Sequence, residues 1–215
     1  MEEKFFSRPE AGRQLAEKLI VYRRRAEAIV LGLPRGGVPV AYEVAKRLEL
    51  PLDVFVVRKL GVPGYEELAM GAIASGNVIV LNDDVMRAVP NSAALLERVV
   101  SQEKIELERR ENLYRQARAA LDLRGRVVIL VDDGLATGAT MRAAAAALRK
   151  QGVAKIVVGV PVGATETCRE LTAEVDELIC PLRPDYFHGV GQFYENFSQV
   201  GDAEVRETLA RITPG

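Results

Sequence analysis

The sequence predicts an α/β fold: a mostly parallel, twisted sheet flanked by helices. Three observations predict it. Short apolar runs such as Val128-Ile129-Leu130-Val131 and Ile156-Val157-Val158 are unbroken by polar residues, as in strands covered on both faces. Segments of helical period separate them, for example Val38, Ala41, Val44, Ala45 and Leu48. The runs end in turns rich in glycine, acids or cations, and in sheets of this kind ligands bind at the carboxyl ends of the strands.

Taken in order, residues 9–24 read as an amphipathic helix with Leu15, Leu19 and Ile20 near helical spacing. Ala28–Leu31 is a short buried strand ending at Gly32, and residues 37–48 form the next helix. Asp53–Val57 reads as a strand that ends at Arg58-Lys59, followed by a glycine-punctuated loop from Gly61 to Glu67. Met70–Ala74 and Val78–Leu81 flank Ser75-Gly76-Asn77, a hairpin signal. Asn91 or Ser92 can cap a long helix reaching about residue 120, whose dense Glu and Arg residues predict a salt-bridged face and one buried stripe. Strand 127–131 is followed by helix 139–150, closed by Gly152. A strand at 156–160, a helix at 165–172 and a strand at 175–179 complete the alternation. From Pro181 the pattern is irregular, with four aromatics between Tyr186 and Tyr194.

Composition narrows the function classes. At 215 residues there is room for one domain, or one with an attached subdomain. A formal net charge of −1 supplies no global field for nucleic acid or an anionic membrane, so neither is expected as a partner. The basic run Arg23-Arg24-Arg25 reads as a solvated helix end, with Glu17 and Glu27 nearby. Cys168 and Cys180 are the only cysteines and His188 the only histidine. That leaves no disulfide framework, no zinc site and little material for Ser-His-Asp chemistry. The first ten residues are acidic early and lack an apolar core, and no apolar run approaches the about 18–20 residues of a spanning helix; a reducing, cytoplasmic setting is expected.

Three strand ends carry unusual residues. The first is Leu130-Val131-Asp132-Asp133-Gly134-Leu135-Ala136-Thr137-Gly138-Ala139-Thr140. A buried strand delivers a carboxylate pair, and the small-residue loop beyond it lets backbone N–H groups close around an anion at a helix N-terminus. Thr137 and Thr140 can add hydroxyls, and Gly138 permits close approach. The loop has no lysine, so it is not the GxxxxGK[ST] nucleotide loop. Acids that can hold a diol, beside a phosphate nest, suggest a phosphorylated sugar. The second end, Gly32-Leu33-Pro34-Arg35-Gly36-Gly37, has two glycines that permit unusual dihedrals before a helix, in a GxxxGG spacing that is not a dinucleotide fingerprint. The third is Val57-Arg58-Lys59, two adjacent cations.

Together these residues resemble the signature of the type I phosphoribosyltransferases, which bind 5-phosphoribosyl-1-pyrophosphate (PRPP). The resemblance covers a core of residues 27–181, with residues 1–26 and 182–215 forming a small hood in the same globular unit. It implies that Asp132 and Asp133 hold the ribose hydroxyls and, through them, Mg²⁺; that Ala136, Thr137, Gly138, Ala139 and Thr140 hold the 5-phosphate; and that Arg35, Gly36 and Gly37 face pyrophosphate. Arg58 and Lys59 match an Arg-Lys pair that contacts pyrophosphate and opens a mobile catalytic loop, here residues 60–77. On this reading Asp132, Asp133, Arg58 and Lys59 are catalytic. Residues 184–197 resemble, more loosely, the C-terminal segment of the 6-oxopurine branch, which makes Phe187, Tyr186 and His188 base-binding candidates with Phe187 the stacking residue. The implied activity is Mg²⁺-dependent transfer of the phosphoribosyl group to a purine-like base with release of pyrophosphate, in nucleotide salvage. A homodimer is common in the family. A non-catalytic PRPP-sensing regulator, or an unrelated sugar-phosphate enzyme, would use parts of the same site.

Overall fold

Five parallel strands in the order β2-β1-β6-β7-β8 form the centre of the computed structural model, which describes residues 4–116 and 119–212. They are β1 (Ala28–Gly32), β2 (Leu52–Val54), β6 (Val127–Val131), β7 (Lys155–Gly159) and β8 (Glu177–Ile179). Register aligns Gly32 with Val131 and Val131 with Gly159, so the carboxyl ends of the three central strands lie level. The predicted parallel α/β sheet is thus present.

The continuous apolar runs are explained by burial on both faces. Val30, Ile129, Val131 and Val157 point to one side, into a core with α1 (Arg8–Lys18), α2 (Gly37–Leu48) and α7 (Asp202–Ala210). Ile29, Leu31, Val128, Leu130, Ile156 and Val158 point to the other, against α5 (Ala139–Lys150) and α6 (Thr165–Leu171). This is the two-residue alternation of a strand, with both sets apolar. Cys168 and Cys180 are buried free thiols on the second side.

The α1–α2 contact is close because Gly12 has no side chain: a Cβ there would sit 2.7 Å from the Val40 carbonyl oxygen and 2.9 Å from Glu43 Cβ. Alanine gains about 1 kcal/mol of helix propensity over glycine. Overpacking typically costs about 1–3 kcal/mol. Gly12→Ala is therefore expected to lower the melting temperature despite the better helix former; a rise would show that α1 can move off α2 freely.

The structure corrects the sequence reading between residues 53 and 77. The predicted strand 53–57 is two strands. β2 stops at Val54, and the chain passes through buried Phe55 and Val56 into β3 (Val57–Val62) of a second sheet. Ser75 fixes the change of sheet, its hydroxyl accepting from the Val56 amide at 2.9 Å and its own amide donating to the Val56 carbonyl at 2.8 Å. Residues 60–77 are not a loop: β3 pairs antiparallel with β4 (Tyr65–Ala74), and β4 with β5 (Val78–Leu81) across the predicted 75–77 turn. The glycines that read as loop punctuation belong to the sheet. Gly61 sits at a register shift, Gly64 supplies a positive φ of 82° in the tight turn, and a Cβ on Gly71 would lie 2.1 Å from the Val80 carbonyl oxygen.

The first helix is shorter than predicted, ending at Lys18 with a 3₁₀ turn at Ile20–Tyr22. The long helix is α4 (Ser92–Arg115), with Val99, Leu107 and Tyr114 as its buried stripe and Arg109, Arg110 and Glu106 among its ion pairs. It ends at Arg115, capped by Gln116, and residues 117 and 118 of the longer predicted span lie outside the described residues. Helices α3 (Asp83–Ala88) and α7 were not foreseen. Residue 5 pairs with the segment after the last sheet strand: the Phe5 amide donates to the Phe193 carbonyl at 2.9 Å, and the Glu195 amide to the Phe5 carbonyl at 2.9 Å.

Candidate functional site

Because β1 and β6 are adjacent and in register, the loops that leave them also touch. The Leu33 amide donates to the Val131 carbonyl at 2.9 Å, which brings the 33–37 turn onto the 132–138 loop. The two acids then part company. Asp132 lines a cavity of about 170 Å³ with Gly134, Thr137, Gly138, Thr140 and Val190, and its Oδ1 accepts from the Asp133 amide at 2.8 Å. Asp133 is not in that lining: its carboxylate sits against Gly36 of the neighbouring strand end and against α1, where Arg8 Nε donates to its Oδ2 at 2.7 Å; the two side chains are only 10% and 14% exposed. Burial, reinforced by the neighbouring Asp133 charge, pushes the Asp132 carboxyl well above the usual carboxylate range. Burial also raises Asp133, and the Arg8 guanidinium opposes the rise.

The small-residue loop is held from behind. Leu135 exchanges backbone bonds with Val162 and Ala164, both at 2.9 Å. Thr167 Oγ1 donates to the Ala136 carbonyl at 2.7 Å, and Arg142 donates to the Thr137 carbonyl at 2.9 Å. The N–H of a trans peptide points opposite its C=O, so the Thr137 and Gly138 amides face away from those two donors. Gly138 has a φ of 74° and opens α5, whose first amides lack intrahelical partners. These features suit an anion of phosphate size. Among the loop residues, Ala136, Thr137, Ala139 and Thr140 are exposed.

The second strand end also converges here, for a different reason from the one the sequence suggested. Gly36 has ordinary helical dihedrals, φ −59° and ψ −34°, so conformational freedom is not its role. A Cβ on Gly36 would lie 2.1 Å from Asp133 Oδ2, and one on Gly37 2.7 Å from the Val131 carbonyl oxygen and 2.8 Å from Asp132 Cα. Both glycines are needed for close approach of the two loops. The Pro34–Arg35 peptide is cis. Arg35 is half-exposed and pairs at 3.7 Å with Asp202 at the start of α7; Tyr114 Oη donates to the same carboxylate oxygen at 2.7 Å.

Arg58 and Lys59 are not at a third parallel strand end. They lie in β3, where Arg58 pairs with Glu103 of α4 at 2.7 Å and Lys59 is exposed opposite Ala72. Of the base candidates, Phe187 stacks on Phe193 with ring centroids 5.6 Å apart, while Tyr186 and His188 are exposed. Gln192 ties this segment, accepting from the His188 amide and donating to the Tyr186 carbonyl.

Sequence reasoning missed Arg8, Tyr194 and Phe197. Tyr194 Oη donates to the Asp133 carbonyl at 2.6 Å, and Phe197 covers the Arg8 guanidinium at 3.9 Å. The only signal was compositional: a basic residue heading an otherwise apolar-faced helix, and aromatics in an irregular segment. Among the described residues no group of three His, Cys, Asp or Glu side chains forms a metal cage, and no helix is long and apolar enough to cross a membrane.

A covered parallel sheet with acids, an amide-lined loop and paired glycines at its carboxyl edge defines an α/β protein with a candidate ligand site in a strand-end crevice. Comparison with known proteins makes the class specific. The description "Phosphoribosyl transferase domain" matches residues 8–197. Rv0571c of Mycobacterium tuberculosis H37Rv, provisionally named a phosphoribosyl transferase, is 49% identical over 207 residues, covering 96% of this chain and 46% of that protein. This chain therefore spans about half the length of that relative. The crystal structure of TT1426 from Thermus thermophilus is 41% identical with a TM-score of 0.86, covering 97% of this chain and 98% of that one. AQ2163 from Aquifex aeolicus, at 11% identity and a TM-score of 0.51 over 96% of this chain and 86% of that one, shares the fold. The chain belongs to the phosphoribosyltransferase family.

Proposed function

We propose that this protein transfers the 5-phosphoribosyl group of PRPP to a nitrogenous base, purine-like, releasing pyrophosphate. The observation that carries the reading is the juxtaposition of Asp132 with the Ala136–Thr140 loop around one cavity. A ribose 5-phosphate needs those two features together: acceptors for its hydroxyls and amides for its phosphate. Thr137 and Thr140 add hydroxyl donors to the phosphate, and Asp132 and Asp133 orient the pentose. Transfer passes through a cation-like sugar, with positive charge building on the ring and negative charge on the departing pyrophosphate. The carboxylates of Asp132 and Asp133 stabilise the first, and Arg35 with the amides of Gly36 and Gly37 stabilises the second. Phe187, Tyr186 and His188 lie on the segment that would receive the base.

The donor set fits Mg²⁺ as a substrate-borne ion. Asp132 and Asp133 are two hard oxygen donors, each already engaged through one oxygen, by an amide and by Arg8 respectively. Such a pair suits a cation that takes most of its ligands from pyrophosphate, ribose and water. When bound, Mg²⁺ would supply neutralising charge to the leaving group. Arg58 and Lys59, in the hairpin sheet, would reach pyrophosphate only if that sheet moved toward the strand ends.

The test is a screen of PRPP with Mg²⁺ against hypoxanthine, guanine, xanthine, adenine and uracil, reading pyrophosphate formation. Release with one or more bases is expected; none with any, despite PRPP binding, would favour a PRPP sensor. Thr137→Ala is expected to weaken PRPP binding in a calorimetric titration by about 1.5–3 kcal/mol, the usual worth of a hydrogen bond to a charged group. Unchanged affinity would remove Thr137 from the phosphate site.

A further inference from the structure

We infer that Arg8 is a positioning residue for the transfer reaction, acting through Asp133, and that it makes assembly of the site depend on the docking of the segment around Arg8 against residues 194–198. This rests on the proposed function. Arg8 is 8% exposed, although it begins a helix near the N-terminus. Its guanidinium has three engagements: Nε donates to Asp133 Oδ2 at 2.7 Å, a terminal nitrogen donates to the Ser198 carbonyl at 2.7 Å, and the Phe197 ring lies 3.9 Å from its carbon. The ring of contacts closes on itself. Phe197 packs on Tyr194 with centroids 5.1 Å apart, and Tyr194 donates to the Asp133 carbonyl oxygen at 2.6 Å. Asp133 is thereby held at side chain and backbone by residues 125 and 61 positions away in the sequence.

The same oxygen also abuts Gly36, where a Cβ would lie 2.1 Å from it. Asp133 is thus wedged between Arg8 and the turn that carries Arg35. A carboxylate so confined has one orientation, and preset orientation is what a pentose-binding acid requires. An arginine is suited to the task because its planar group takes a carboxylate, a carbonyl and an aromatic face at once, whereas a lysine ammonium supplies the charge alone. Arg8 need not touch PRPP. It sets the acid that does.

The experiment is a double-mutant cycle on the full chain: wild type, Arg8→Gln, Asp133→Asn and the double variant, each titrated calorimetrically with PRPP and assayed for pyrophosphate release with the accepted base. Arg8→Gln should lower kcat by about 100-fold, the scale of a small misplacement of a reacting group. It should also weaken PRPP binding and leave KM for the base unchanged. In the Asp133→Asn background the same substitution should change nothing further. Arg8→Lys should restore part of kcat. Losses that multiply in the double variant, or an Arg8→Gln protein with wild-type kcat, overturn the assignment. If Arg8→Gln does not fold, Phe197→Leu, which loosens the guanidinium without touching Asp133, takes its place in the cycle with the same two outcomes. A wild-type protein that fails to bind PRPP refutes the proposed function itself and this role with it; a binding-competent wild type matched by Arg8→Gln refutes only the role.

Discussion

Asp132→Asn is expected to lower turnover by about two to three orders of magnitude while the melting temperature stays level or rises. The loss follows from the position of Asp132 on the cavity wall beside the anion loop, where, on the proposed function, an ionised carboxylate would accept from the ribose and face the developing cation. Removing one such transition-state contact costs about 2.7–4 kcal/mol. The stability effect has the opposite sign. Burial and the neighbouring Asp133 raise the Asp132 pKa above its unfolded value. The folded state therefore holds that proton more tightly than the unfolded chain does. The associated stability is fully present below the ordinary carboxylate range and is lost as pH rises through the raised folded value. At neutral pH the wild type carries the cost of a charge that asparagine does not. The variant should gain most over wild type at neutral pH and nothing at low pH. Thermal melts across pH, with steady-state assays, read both effects. A variant that is less stable at neutral pH, or fully active, would contradict the assigned environment.

The paired glycines should fail in two different ways when given a methyl group. In Gly37→Ala the Cβ meets backbone, the Val131 carbonyl oxygen at 2.7 Å and Asp132 Cα at 2.8 Å. Neither can yield without shifting the end of the central strand. A loss of about 1–3 kcal/mol in stability is expected, with lower activity because Asp132 moves too. In Gly36→Ala the atoms nearest the Cβ are those of the Asp133 carboxylate, at 2.1 Å from Oδ2 and 2.7 Å from Cγ. That side chain can rotate, but in doing so it leaves Arg8. Breaking a buried ion pair costs about 3–5 kcal/mol when one partner stays uncompensated; here the Ser198 carbonyl and Phe197 remain and reduce the figure. Turnover should collapse as the acid loses its orientation. Thermal unfolding and kcat measured on both variants separate the cases. Wild-type turnover in Gly36→Ala would show that the position of Asp133 does not matter to the reaction.

The sheet was legible because its signals are local. Residues 128–131 are uniformly apolar and lead directly into Asp132-Asp133, so strand, strand end and acid pair follow from neighbours in sequence. The Gly138 start of α5 and the Ser75–Asn77 hairpin turn were legible for the same reason. The pairing of β3 with β4 was not. Gly61 and Gly64 have the composition of a loop, and only cross-strand partners place them in a sheet, as they also show that Gly71 makes room for the Val80 carbonyl. Helix α7 escaped notice in a segment that follows irregular chain, yet its Asp202 holds Arg35.

By itself, then, the order of residues determined the alternation of strands and helices, the acid pair and the small-residue loop, since each depends on periodicity or on side chains a few positions apart. Only the tertiary structure decided which acid lines the cavity, why Gly36 and Gly37 are glycine, and that Arg8 pairs with Asp133. Those outcomes depend on contacts between segments distant in the chain, where sub-ångström packing and the burial of charge choose the arrangement and no local pattern encodes it.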